Sequence, residues 1–220
     1  MIDTYLEPLD DAALAATWDA AWLALDRPAP DGLQAELMTA WSEPHRHHHD
    51  QRHLRECLAL WVRWRELGDR AGEVAIALWF HDAVHDPQAS SNELNSAAWA
   101  ARSMIRAGLA SGTAQRVHDL VMSTEQATQH HVPVIGADAE LLVDIDLAIL
   151  GSPPDRFERY DRDVRKEYAS VLGSRYRDQR AQMLQGFLDR PRLYHGEAAA
   201  SLLEGQARIN LAAALSRLAQ

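Results

Sequence analysis

The sequence predicts an all-α protein, and three observations point to that fold class. Apolar residues recur three and four positions apart along most of the 220-residue chain, which places them on one face of a helix. No stretch alternates apolar and polar residues as a β-strand would. Proline and glycine end several of the periodic segments. We therefore expect a helical protein and, for lack of a dividing linker, a single domain over residues 1–220.

Ten segments show this helical spacing. The first has Asp10 or Asp11 as its N-cap, and "PAPDG" ends it. Four of its apolar side chains share one face: Leu14, Trp18, Trp22 and Leu25. In order, the ten segments cover residues 10–25, 33–43, 50–67, 72–84, 90–108, 113–126, 137–151, 153–173, 175–190 and 197–219.

The third and fourth segments carry most of the expected core. The third should turn four apolar side chains inward: Leu54, Leu58, Trp61 and Val62. The fourth contains "VAIALWF", which is so apolar that it must run through the interior. It should end before Asp86 and Pro87, because the residue before a proline avoids the helical region.

The composition and net charge of the chain argue against some classes of binding partner and cellular compartment. The formal net charge is −10, which argues against a broad nucleic-acid or anionic-membrane surface. The single cysteine, Cys57, cannot form an internal disulfide or a paired-cysteine zinc site, and it favours a reducing compartment. The start of the chain lacks the pattern of a signal peptide, and the longest apolar run is too short to span a bilayer. We expect a cytoplasmic protein that binds neither nucleic acid nor membrane.

Several histidines and aspartates interrupt these apolar helices. His81 and Asp82 follow the apolar run "VAIALWF", and burying an aspartate is costly unless it is paired or binds a cation. His53 lies at the edge of an apolar face, and Asp144 and Asp146 interrupt "LLVDIDLAIL". Each residue alone also fits a structural role, such as a core histidine or a salt bridge to an arginine. Together they are ligand types for a borderline divalent metal, with positions left open for water and substrate.

These residues occur in an ordered set of motifs that resembles a known family. His53, then His81-Asp82, then an aspartate in "DIDLAILG" look like the H…HD…D signature of the HD superfamily of metal-dependent phosphohydrolases. "EPHRHHHDQRHLREC", "ALWFHDAVHDP", "SSNELNSA", "VRKEYA" and "ARINLAAALSRL" resemble, in order, a bacterial subfamily of predicted metal-dependent HD phosphohydrolases. The likeness covers roughly residues 15–218. The chain departs from the subfamily pattern at His48, Asp50 and His85, where that pattern has Tyr, Asn and Tyr.

The resemblance implies a fold and a metal site. It implies a multi-helix HD-type bundle whose metal-site core spans about residues 40–151, with a C-terminal extension of helices over 152–220 packing on it. It also assigns four metal ligands, with Asp146 preferred to Asp144 because the family ligand directly precedes the leucine of its segment. The implied ligands are His53, His81, Asp82 and Asp146.

Other residues are candidates for catalysis and substrate binding. Asp86 keeps one position of an acidic pair that is catalytic in related guanosine-tetraphosphate hydrolases, and Glu93 is a second candidate acid. Glu93 also fits a capping box with Ser90 at the start of the fifth segment. The candidates for binding substrate phosphate or lining the pocket are His49, His85, Arg46, Arg165 and Lys166.

The expected function is hydrolysis of a small phosphate ester or nucleotide by a metal-activated water. The cofactor would be one or two divalent ions among Mn, Fe, Ni, Zn and Mg. Two alternatives stay open. One is an HD-fold di-iron oxygenase, for which His85, His130 or His131 would supply further ligands. The other is a nucleotide-sensing helical regulator with a non-catalytic site. The sequence leaves the oligomeric state open, a homodimer included.

Overall fold

The protein is helical throughout the residues that the structure, a computed structural model, describes, which are 7–128 and 134–219. Over these residues the predicted all-α fold is confirmed. Two short 3₁₀ helices, Arg65–Leu67 and Leu147–Gly151, follow the third and seventh α-helices. The α-helices are α1 (Asp11–Ala24), α2 (Leu33–Ala40), α3 (Gln51–Trp64), α4 (Ala71–Phe80), α5 (Asn92–Arg106), α6 (Ser111–Thr128), α7 (Ala137–Asp146), α8 (Pro154–Glu167), α9 (Gly173–Leu188) and α10 (Glu197–Leu218).

The described residues group into two compact units. The N-terminal unit runs to Val143 and holds α1 to α6 with most of α7. The C-terminal unit starts at Asp144 and holds the end of α7, the second 3₁₀ helix and α8 to α10. Among the described residues, no helix combines the length and the apolar character needed to cross a membrane.

Helix α4 is the centre of the N-terminal unit. It packs against α1, α3, α5 and α6, and every side chain from Val74 to Phe80 is fully buried. A helix that is apolar on all sides is stable only in such a position, and each large apolar side chain buried there contributes roughly 2 kcal/mol. Trp79 of α4 meets Trp18 of α1 edge to face, with ring centroids 5.0 Å apart. The prediction that "VAIALWF" lies in the core is confirmed.

Aspartates cap the first and third helices. Asp10 accepts a hydrogen bond from the backbone N–H of Ala13 at 2.8 Å, as the sequence predicted. Asp50 accepts from the N–H groups of Arg52 and His53, and burial raises the pKa of its carboxyl. This cap fixes the first turn of α3, the turn that carries His53.

Two local predictions are wrong. Val62 is 47% exposed, because the buried stripe of α3 passes through Trp61 and Trp64 on either side of it. The capping box of Ser90 with Glu93 is absent, because α5 starts at Asn92 with Ser91 as its N-cap and no side chain accepts a capping bond.

Asn92 closes the turn that comes before α5. Its amide accepts a hydrogen bond from the backbone N–H of Asp86 at 3.0 Å and donates to the carbonyl of Asp86 at 2.9 Å. This pair of bonds moves the start of α5 past Ser90. Glu93 is therefore left on the first turn of α5 without the predicted capping role.

Asn210 holds the start of the C-terminal unit. The chain tightens into the 3₁₀ helix after Asp146, and the buried amide of Asn210 donates to the carbonyls of Leu150 and Ser152, both at 2.8 Å. Leu203 of α10 packs so closely on Gly151 that a Cβ there would lie 2.6 Å from the Cβ of Leu203. These contacts join the 3₁₀ helix to α10.

We expect Asn210→Ala to lower the free energy of unfolding by about 2 kcal/mol, because it leaves two buried carbonyls without their donor. Urea denaturation followed by circular dichroism measures this. Asn95→Ala is the matched control, since Asn95 is exposed and bonds only within its own helical turn. Equal losses for the two variants would contradict the assigned role of Asn210.

Candidate metal centre

Two buried histidines face each other in the N-terminal unit. His53 lies on the first turn of α3, and His81 directly follows the last residue of α4. Their exposed fractions are 3% and 1%. The two Nε2 atoms are 3.1 Å apart. The packing of α3 on α4 thus brings two sequence-distant imidazoles together, as the motif spacing predicted.

Asp82 adds a carboxylate oxygen to this pair. Its Oδ2 lies 3.3 Å from Nε2 of His81 and 3.7 Å from Nε2 of His53. Its side chain is 18% exposed, so it is less buried than either histidine. Three potential ligand atoms, two nitrogens and one oxygen, therefore converge.

The orientation of His81 suits metal binding. Its Nδ1 lies 2.8 Å from the carbonyl oxygen of Leu78, which can only accept a hydrogen bond. Nδ1 must therefore carry the proton, and in the neutral ring Nε2 keeps its lone pair. In most metal-binding histidines, a hydrogen bond donated by the ring nitrogen that does not bind the metal fixes the tautomer in this way.

The three atoms fit around one divalent ion. Metal–ligand bonds of about 2.1 Å put two ligand atoms roughly 3.0 Å apart at a right angle and roughly 3.4 Å apart at the tetrahedral angle. The observed separations of 3.1, 3.3 and 3.7 Å lie at or close to this range. The described residues of this unit can thus hold a metal ion with further coordination positions open.

Cys57 lies next to this group, one turn after His53 on α3. Its Sγ is 3.7 Å from both ring nitrogens of His53, and it lies within 4.8 Å of the ligand nitrogen of His81. A sulfur equally distant from both nitrogens lies over the face of the ring, away from the lone-pair direction of either nitrogen. In this conformation the thiol packs on the imidazole.

Trp41 covers the two histidines, and the sequence did not reveal this. The residue ends α2 and is fully buried, and its indole N–H donates to the carbonyl of Trp79 at 3.0 Å. Its ring centroid is 5.4 Å from that of His81 and 6.4 Å from that of His53. The only available signal was its position just before the histidine-rich stretch.

Glu93 and Asp86, the two candidate acids, differ in their surroundings. Glu93 is half-buried, and burial raises its pKa, helped by the negative charges of Asp82 and Glu125. Asp86 is exposed, and its carboxylate accepts a hydrogen bond from the backbone N–H of Gln88 at 2.9 Å. Burial therefore favours the protonated form of Glu93 relative to an exposed glutamate.

His49 and His85, both predicted to line the pocket, lie against each other. Their ring centroids are 4.2 Å apart, with His85 buried and His49 half-buried. His45 donates from Nε2 to the carbonyl of His85 at 2.7 Å, and the ring of buried His48 lies 4.7 Å from both His49 and His53. His45, His48 and His49 of the histidine-rich stretch thus lie in contact with His53 or His85.

The predicted phosphate-binding cations all have protein partners. Arg46 of the N-terminal unit is buried and bonded to the surrounding backbone. In the C-terminal unit, Arg165 donates to the carbonyl of Tyr168 at 2.8 Å and lies 4.4 Å from the ring centroid of Tyr176. Lys166 pairs with Asp163 at 2.7 Å. The substrate-binding roles of Arg165 and Lys166 stay predictions.

Asp144 and Asp146 differ sharply within the C-terminal unit. Asp144 is buried, and its carboxylate accepts from the backbone N–H groups of His195 at 2.8 Å and Gly196 at 2.7 Å. It therefore holds the start of α10, where a negative charge is favourable. Asp146 is half-buried and ends α7. Its assignment as the fourth ligand stays a prediction, as do the roles of His130 and His131, which lie outside the described residues.

Comparison of the chain with protein-family profiles, curated proteins and solved structures found no match in any of the three.

Proposed function

We propose that this chain is a metal-dependent phosphohydrolase of the HD superfamily that acts on a small phosphate ester or nucleotide. One observation carries the proposal: the convergence of His53 Nε2, His81 Nε2 and Asp82 Oδ2 at separations that suit one divalent ion. The ordered motifs of the sequence supply the reaction class and suggest Asp146 as the fourth ligand.

Each residue of the proposed site then has a distinct role in the reaction. A divalent ion at this position would lower the pKa of a water molecule toward neutrality and offset negative charge on the phosphoryl oxygens. Glu93, with its raised pKa, gives a proton to the leaving oxygen. We assign the phosphate contacts to His49 and His85, whose rings lie 4.2 Å apart. Trp41 and Cys57 pack on the metal-binding histidines and keep water from their faces.

Elemental analysis of protein purified without a histidine tag tests the proposal first. We expect one or two equivalents of a divalent metal per chain. A panel of nucleotides and small phosphomonoesters, assayed with that metal for release of inorganic phosphate, then tests the reaction class. Turnover lost on adding a chelator and restored by the metal supports the proposal. Metal-free protein that hydrolyses the same substrates contradicts it.

The same measurements separate the two alternatives. Two iron ions per chain together with oxygen consumption would favour the di-iron oxygenase. Nucleotide binding without phosphate release, under every metal tried, would favour the non-catalytic regulator.

We expect Glu93→Gln to lower kcat by about 10²- to 10⁴-fold while the metal content stays at the wild-type level, because the amide cannot give up a proton. Burial favours the protonated form of Glu93, whereas a metal ion bound at Asp82 would favour the charged form, so the pKa that governs activity is that of the metal-loaded protein. Wild-type activity that depends on this proton should therefore fall as pH rises through that pKa, and this alkaline decline should be absent in the variant.

Asp86→Asn is the discriminating comparison for this experiment, because Asp86 is the other candidate acid. A larger loss in Asp86→Asn than in Glu93→Gln would reassign the proton donor. An unchanged pH profile in Glu93→Gln would rule out proton transfer by this residue.

A further inference from the structure

All three guanidinium nitrogens of Arg46 donate hydrogen bonds to groups of the N-terminal unit. The side chain has no exposed surface. Nη1 donates to the carbonyls of His49 at 2.9 Å and Asp82 at 2.7 Å, and Nη2 donates to the carbonyl of Ala83 at 3.0 Å. Nε and Nη2 each lie 3.0 Å from a carboxylate oxygen of Glu43. Four of the five N–H groups of Arg46 thus donate hydrogen bonds, and the guanidinium charge is paired with Glu43.

These bonds connect the two segments that deliver the metal ligands. Asp82 and Ala83 follow the end of α4, where carbonyl groups lack helical partners and a cation is favourable. His49 directly precedes Asp50, the N-cap of α3. Arg46 therefore ties the backbone that carries Asp82 to the backbone that starts the helix carrying His53.

The shape of the guanidinium matters for this connection. It presents donors in a rigid planar fork, so one side chain can reach carbonyls from two segments at once. Trp41 lies against it, with the guanidinium carbon 5.6 Å from the ring centroid, and the same indole also covers His81. A lysine at this position would keep the charge but concentrate its donors at one point.

We propose that Arg46 is a positioning residue that sets the separation of His53 from His81 and Asp82, and so determines the affinity of the centre for its metal. The inference rests on the metal-binding part of the proposed function and does not depend on the reaction. It also gives Arg46 a role different from the phosphate contact that the sequence suggested. The guanidinium group of Arg46 is fully buried and donates to the protein, so it is not presented to a substrate.

The test is the metal affinity of Arg46→Lys. We expect the apparent Kd for Zn²⁺, measured by competition with a chromophoric chelator, to rise about 10- to 100-fold, the effect typical of losing a group that orients ligands. The visible absorption of the Co²⁺-loaded variant should also differ from that of the wild type, since it reports ligand geometry. A merely structural role would lower the melting temperature and leave both the affinity and the spectrum unchanged.

Arg116→Lys is the matched control. Arg116 forms a two-bond fork with the buried carboxylate of Glu73 in the same unit, with N–O distances of 2.8 and 2.6 Å, and its own side chain is 46% exposed. We expect this variant to lose stability without losing metal affinity. Loss of affinity in proportion to stability in both variants would overturn the proposal.

A second variant covers the case in which Arg46→Lys does not fold. Glu43→Gln removes the charged partner of the guanidinium, and its side chain is 44% exposed, so the fold should tolerate the change. We expect the Zn²⁺ affinity of this variant to lie between that of the wild type and that of Arg46→Lys, which is expected to be about 10- to 100-fold weaker than the wild type. Wild-type affinity in the folded variant overturns the role of Arg46. Absence of Zn²⁺ binding in the wild type overturns the metal centre itself, whereas binding without phosphate release refutes only the hydrolase.

Discussion

Changing His81 to alanine is expected to abolish metal binding and, with it, the proposed phosphohydrolase activity. The imidazole supplies the nitrogen that lies 3.1 Å from His53 Nε2 and 3.3 Å from Asp82 Oδ2, so its loss leaves one nitrogen and one oxygen of the three converging atoms. We expect the metal affinity to fall by more than about 100-fold, the upper end of the effect of losing a group that only supports a ligand.

The variant should keep its helices. The seven fully buried side chains from Val74 to Phe80 hold α4 in place without His81. Far-ultraviolet circular dichroism and elemental analysis of the same sample separate loss of metal from loss of fold. His118→Ala on α6 is the matched control, because that histidine pairs with a neighbouring aspartate on its own helix. A folded His81→Ala protein with full metal content would refute the proposed centre.

The second large effect is a contrast between Asp144→Ala and Asp146→Ala. Asp144→Ala should lower the free energy of unfolding by about 3 kcal/mol, because it leaves two backbone N–H groups at the start of α10 without an acceptor. Asp146→Ala should instead lower the metal content. Asp144 and Asp146 would then be separated by function although they are two residues apart.

Thermal or urea unfolding, combined with elemental analysis of both proteins, measures this contrast. Loss of metal in a folded Asp144→Ala protein, with full metal in Asp146→Ala, would exchange the two roles. Unchanged stability in Asp144→Ala would contradict the structural role of its carboxylate.

Much of the N-terminal unit could be predicted, because its signals are local. Helical periodicity identified the α-helices, and the continuous apolar run identified α4 as the core helix. These two features follow from the sequence because a helix fixes which residues share a face over short distances. The grouping of His53, His81 and Asp82, which lie on different elements, was implied only by the resemblance to the H…HD…D signature.

The wrong and missing predictions involve contacts between distant residues. The prediction for Val62 required the buried face of α3 to be known to within one residue, and packing against neighbouring helices decides that. The prediction for Ser90 required the start of α5 to be known to within one or two residues, and the turn closed by Asn92 decides that. Arg46 looks like a surface cation in the sequence, and only the folded chain brings the carbonyls of Asp82 and Ala83 to it. The partners of Asp144 lie at the start of α10, far along the chain.

The hydrogen bond from His81 to the carbonyl of Leu78 has a consequence for how the centre tolerates mutation. The group that orients this imidazole is main chain, so replacing the side chain of Leu78 does not remove it. The ligand geometry at His81 therefore persists through sequence drift as long as α4 stays helical. The loop containing Arg46 has no such protection, since one codon change there breaks several bonds at once. Natural variation should therefore be freer at position 78, among apolar residues, than at position 46.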